Sequence, residues 1–135
     1  MISTEPLLQL LMAVLLGGLI GYERQQKHKS AGLRTHVLVC LASAGIMIAA
    51  EQYYGIGHAE LSRFAQAIVT GIGFLGAGTI LSKKGHVLGL TTAASVWAIA
   101  GVGIVIGLRQ YALATGITVL ALFFLRNKSL DFAAR

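Results

Sequence analysis

Charge is scarce in this chain. Only 12% of its 135 residues are Asp, Glu, Lys or Arg, where a water-soluble domain carries about a quarter. That is too little polar material to cover a surface of this size, and the low charge also excludes a disordered chain. Proline occurs once, at Pro6, which excludes a proline-rich linker. Cysteine occurs once, as Cys40 in an apolar run, so neither an internal disulfide nor a cysteine-type metal cluster can form. Strict polar–apolar alternation is missing, which argues against a small transmembrane barrel. No pair of carboxylates and no serine or cysteine with an activating neighbour suggests a reaction. The expectation is a non-enzyme without a cofactor.

What remains is apolar length. Hydrophobic residues make up 56% of the chain and the mean hydropathy is +0.75. Five runs approach the length needed to cross about 30 Å of hydrocarbon: Leu7–Tyr22, Thr35–Ala50, Phe64–Leu81, Leu90–Leu108 and Tyr111–Leu125. Helices are expected for all five, because an open sheet edge cannot satisfy its backbone in lipid. The last run is short, and "GLRQY" before it is tight enough for an angled hairpin or a re-entrant piece. The tip "MISTEP" has no Lys or Arg, so the first run reads as a retained helix rather than a cleaved signal. The fold class expected is an all-α integral membrane bundle of about five transmembrane helices. A membrane domain over 1–126 would be followed by a short cytoplasmic tail over 127–135.

Basic residues orient this arrangement. With the N-terminus outside, nine of the eleven fall on the cytoplasmic side: Arg24, Lys27, Lys29, Arg34, Lys83, Lys84, Arg126, Lys128 and Arg135. Only Arg63 and Arg109 fall outside, together with the acids Glu5, Glu51 and Glu60. The net charge of +6 sits in short gaps between apolar runs, which favours anionic headgroups over nucleic acid.

Several polar residues stand at the membrane faces. Glu23 is at the C-terminal end of the first helix, where the helix dipole disfavours an acid and invites a cation. Lys27 and Arg34 are within reach; the alternatives are a structural ion pair and an ion-handling role with Arg24. In "SAGLRTH", Gly32 allows a turn and Thr35 begins the second helix. Arg34 either holds lipid phosphate or turns inward to Glu23. His28, His58 and His86 match no zinc spacing, and His36 reads as a hydrogen-bonded neighbour.

The run "GIGFLGAG" places Gly71, Gly73, Gly76 and Gly78 around Phe74 and Leu75. Glycine weakens a helix interior, so its use here is either close packing between helices or protomers or a broken helix lining a solute path. A phosphate loop is excluded, since no "GK[ST]" follows. Gln66 and Thr70 share a face and form a polar seam or bond a neighbour. Thr91, Thr92 and Ser95 read as small polar packing residues near Trp97. The spacings Gly17/Gly21 and Gly103/Gly107 add small-residue faces to the first and fourth helices, suggesting a compact bundle in an oligomer, a dimer being favoured.

Four motifs in order resemble the membrane domain of the MgtC/SapB family, also called YhiD-like. They are "GGLIGYER" at Gly17–Arg24, "AGLRTH" at Ala31–His36, "GIGFLGAGTI" at Gly71–Ile80 and "GLTTAASVW" at Gly89–Trp97. The resemblance implies a multi-pass protein of the bacterial inner membrane, associated with magnesium limitation, acid stress or survival in host cells. It implies regulation of another membrane protein such as ATP synthase, with Mg²⁺ as a further candidate partner. The residues carried over are Glu23, Arg24, Gly32, Leu33, Arg34, Thr35, Gly73, Phe74, Gly76, Gly78, Gly89, Thr91 and Thr92. The soluble C-terminal domain of longer members is expected to be absent. The rival expectation is a cation transporter or channel accessory with a wet seam through Gln66, Thr70 and Thr91/Thr92, faced by Glu23.

Overall fold

The computed structural model describes residues 4–55, 57, 59–83 and 86–127. Among the described residues five helices form in chain order: α1 (Glu5–Gln26), α2 (Leu33–Tyr54), α3 (Glu60–Gly78), α4 (Leu90–Gly107) and α5 (Tyr111–Arg126). Lys84, His58 and all of the expected 127–135 tail except Asn127, including Lys128 and Arg135, lie outside the described residues. The structure also shows a small antiparallel hairpin, β1 (Leu81–Lys83) and β2 (His86–Leu88), where a plain connection was expected. Its register pairs Leu81 with Leu88 and Lys83 with His86. Gly89 then adopts φ 90°, a conformation that favours glycine, and a Cβ there would strike the Thr79 carbonyl.

The centre is a trio. α2 packs against α1 on one side and α4 on the other. Both contacts use glycine to bring backbones together. A Cβ on Gly21 would lie 2.7 Å from Leu33 Cα, and one on Gly17 would lie 3.0 Å from Cys40 Cβ. On the other side, a Cβ on Gly103 would lie 2.7 Å from Ser43 Cβ and collide with the Cys40 carbonyl. Gly107 meets Met47 in the same way. Ile20, Cys40, Ala44, Ile99, Val102 and Ile106 fill the core between them.

α1 is apolar on its outside as well. Leu7, Leu8, Leu11, Leu15 and Leu19 are all exposed, and a helix hydrophobic all round belongs in a large core or in lipid. Three helices, α1, α2 and α4, are long and apolar enough to cross a membrane. α5, with 16 residues, spans only about 24 Å at 1.5 Å per residue. The chain is a multi-pass membrane protein in contact with lipid.

α3 and α5 flank the trio. α3 begins at Glu60, four residues before its apolar run, because an acid in the first turn suits the helix dipole. It leans on α4 and α2 along one stripe, Leu61, Ala65, Ile68, Ile72 and Gly76. The Tyr54 and Phe64 rings, 6.0 Å apart, join its start to the end of α2.

Candidate functional site

The ends of α1, α3 and α5 and the starts of α2 and α4 meet at one rim of the bundle, and the polar residues of α1 organise it. Arg24 is 2% exposed, although it is the last-turn cation of its helix. Its Nε donates to Glu23 Oε2 at 2.5 Å, and its Nη2 donates to the Leu125 carbonyl at 3.1 Å. Lys27 Nζ donates to the same carbonyl at 2.5 Å and pairs with Glu23 Oε1 at 2.7 Å. Two cations of α1 therefore cap the C-terminal end of α5, where carbonyls lack intrahelical donors. Glu23 holds both cations in place. Its partners are Arg24 and Lys27; Arg34, the other cation within reach, is exposed at the start of α2.

The turn after α1 is shaped for this. Lys29 N–H donates to the Arg24 carbonyl at 3.1 Å and His28 N–H to the Gln25 carbonyl at 3.0 Å. That is a Schellman ending, with His28 at φ 51° where glycine is usual. Leu33, rather than Thr35, begins α2, and its N–H donates to Gln25 Oε1 at 3.3 Å. Thr35 is exposed, while Gly32 is the N-cap in extended backbone and lies against Gln25.

One turn deeper, His36 is fully buried. Its Nδ1 donates to the Gly32 carbonyl at 2.9 Å, since a carbonyl can only accept. Its Nε2 is 3.0 Å from Ser95 Oγ, whose single proton lies within reach of both that ring nitrogen and the Thr92 carbonyl 2.8 Å away. Ser95 is thus a buried polar contact between α2 and α4, and Thr92 is buried one turn before it. Thr91, on the outer side of that first turn, is exposed. Trp97 is 53% exposed and faces outward.

The third helix departs most from expectation. Gly71, Gly73 and Gly78 have nothing within 4 Å of an added Cβ; only Gly76 packs, against Ala93 at 3.7 Å. Phe74 is 82% exposed. Gln66 and Thr70 are exposed, and Thr70 Oγ1 donates to the Gln66 carbonyl of its own helix at 2.8 Å. These residues form neither an internal packing face nor an internal polar seam. The reason is rotational: the stripe through Leu61, Ile68 and Ile72 is the buried one, and Gln66, Thr70 and Gly73 lie on the opposite side of the 3.6-residue period. The helix is continuous through its glycines, so it is not broken.

The far end of the bundle carries a second polar arrangement that composition alone did not reveal. Gln9, 2% exposed, donates to the Ile106 carbonyl at 2.8 Å and the Gly107 carbonyl at 3.3 Å, capping α4. Arg109, at φ 62° in another Schellman ending, lies 3.2 Å from both Glu5 and Glu51. The signal for Gln9 was its being the single amide in an apolar run. Among the described residues, no group of three His, Cys, Asp or Glu side chains could hold a metal ion.

Comparisons with known proteins agree with the motifs. Residues 10–130 match the MgtC family. YhiD of Escherichia coli strain K12, whose name carries magnesium transport as a provisional assignment, is 42% identical over 129 residues, 91% of this chain and 60% of its own. Protein MgtC of Salmonella typhimurium strain LT2 is 43% identical over 116 residues, covering 86% of this chain and 49% of its own. Protein MgtC of Brucella abortus strain 2308 is 47% identical over 95 residues, covering 70% of this chain and 39% of its own. The chain thus spans about half the length of the curated relatives it matches. No solved structure matches. With the family matched across nearly the whole sequence, and its motifs forming the rim and the glycine-rich helix, the chain belongs to the MgtC family.

Proposed function

We propose that this protein is a non-enzymatic regulator in the bacterial inner membrane, linked to magnesium or envelope homeostasis, that acts by binding another membrane protein. In this reading all five helices cross the membrane with the N-terminus outside, and the Glu23–Arg24–Lys27 cluster stands at the cytoplasmic rim. The observation that carries it is the outward face of α3: Gln66, Thr70 and Gly73 are turned away from the rest of the chain. An amide facing lipid would be costly, whereas a partner helix would bond it and pack closely against Gly73. A second copy of this chain, giving the favoured dimer, and an energy-coupling complex such as ATP synthase are the partners considered.

The transporter reading is less well supported by the same geometry. It needs a polar path joining Gln66, Thr70 and Thr91/Thr92 to Glu23. Thr92 is instead buried, Gln66 and Thr70 face outward, and Glu23 is neutralised by two cations. Mg²⁺ normally wants several oxygen ligands. Uptake of Mg²⁺ by proteoliposomes holding the folded, monodisperse protein tests the choice. The regulator reading expects uptake equal to that of empty vesicles; saturable uptake that Glu23→Gln abolishes would overturn it.

A further inference from the structure

A cavity of about 370 Å³ opens at the rim between the end of α1, the start of α4 and the end of α5. It is far larger than the roughly 10–15 Å³ that one water requires. Its charged lining among the described residues is of one sign: Arg24, Lys27 and Lys29 face it, and no described carboxylate does. Glu23, which offsets one of these charges, pairs with Arg24 and Lys27 but is not among the lining residues. Three cations against one acid leave two positive charges around the space. Arg24 is a built element of this wall, 2% exposed and fixed by Glu23 and the Leu125 carbonyl. The Schellman turn at His28 folds Lys29 back over the end of α1, beside Arg24.

The opposite wall supplies donors of another kind. Thr91 lines the cavity from the first turn of α4. The N–H groups of such a turn have no intrahelical acceptor and present the positive end of the helix dipole. Gly89 starts this helix without a side-chain cap. A fixed guanidinium, two ammonium groups, a hydroxyl and a helix N-terminus around one space suit a tetrahedral oxyanion with several acceptor oxygens. The remaining wall is formed by Phe124, Leu125 and the polar Asn127, and Phe124 is exposed at the end of α5.

We infer that this cavity is a phosphate-binding site, formed by Arg24, Lys27, Lys29 and Thr91, for the phosphate group of an anionic phospholipid or of a free phosphate compound. The site is separate from the outward face of α3 and does not depend on the partner proposed there. Occupancy ties the ends of α1 and α5 to the start of α4, so it stabilises the rim against thermal unfolding.

The test uses the purified full chain in a nonionic detergent, with unfolding temperature as the readout. Dihexanoyl phosphatidylglycerol is titrated against dihexanoylglycerol, which lacks only the headgroup phosphate and its glycerol, and inorganic phosphate is titrated separately. Lys29→Gln and Thr91→Val change exposed side chains, and monodispersity with unaltered helix content verifies that both variants fold. A saturable rise with the phosphatidylglycerol but not the glyceride, its midpoint raised about fivefold by Lys29→Gln, supports the site with a lipid as its source. The same variant-dependent rise with inorganic phosphate at a comparable midpoint supports it with a free phosphate as its source. No saturable rise with either probe, or rises that both variants leave unchanged, overturns the assignment.

Discussion

Gly21 and Gly73 stand in helices of similar composition, yet they meet opposite surroundings. A Cβ on Gly21 would press to 2.7 Å from a neighbouring Cα; one on Gly73 would meet nothing within 4 Å. The same division separates whole regions. In α1, α2 and α4, glycine lets three backbones approach until side chains of small volume fill the gaps. In α3 only Leu61 and Gly76 are buried, and Gly71, Gly73 and Gly78 have nothing within 4 Å of an added Cβ. Glycine density therefore has two settings in one molecule: a helix interface already closed in the trio, and an exposed surface on α3 that the proposed partner would cover.

Substitution by leucine separates these meanings most sharply. Gly103→Leu drives a branched side chain into the α2 backbone and is expected to cost about 3 kcal/mol or to prevent folding; thermal unfolding in detergent checks it. Gly73→Leu is expected to change the monomer by less than about 0.5 kcal/mol. Equal losses at the two positions would mean that the α3 face is already covered in the isolated protein.

The rim offers the next largest effect. Arg24→Met leaves Glu23 with Lys27 alone and removes one of the two donors on the Leu125 carbonyl. Breaking a buried pair in this way costs about 3 kcal/mol, and chemical denaturation should show it. Hydrogen exchange should place the loss at the end of α5, far from α3. At the opposite end, Gln9→Leu frees the Ile106 and Gly107 carbonyls for about 1 kcal/mol, read as a lower unfolding temperature. The smallest change has the opposite sign. His28→Gly removes the penalty of a side chain in left-handed backbone and should stabilise the protein by up to about 1 kcal/mol, provided the turn keeps its hydrogen bonds.

Much of this architecture was legible in the sequence, and the reasons are local. Apolar runs bounded by basic gaps marked five helices, and Gly17/Gly21 and Gly103/Gly107 marked faces that the fold uses. Glu23 beside Arg24, with Lys27 a turn later, signalled an ion-paired helix end. Other features depend on tertiary placement. Gln9 meets carbonyls nearly a hundred positions away, and Arg109 joins Glu5 to Glu51 only because the start of α1 meets the ends of α2 and α4. The hairpin at Leu81–Leu88 has strands of three residues each, too short for a period to show. The direction of the α3 glycines was illegible for a different reason. Periodicity sets Gln66, Thr70 and Gly73 apart from the apolar stripe through Leu61, Ile68 and Ile72, but glycine density by itself does not say whether a glycine meets a neighbouring helix of the same chain.

The account turns on what covers that face in the membrane. The most direct measurement is a photoreactive amino acid placed at Thr70, with Leu15 on the lipid-facing side of α1 as its control, in native membranes. The expected result is a discrete protein adduct from Thr70, either a second copy of this chain or another membrane protein, with lipid adducts alone from Leu15. Lipid adducts alone from both positions would contradict the account, since the polar and glycine face of α3 would then have no protein partner.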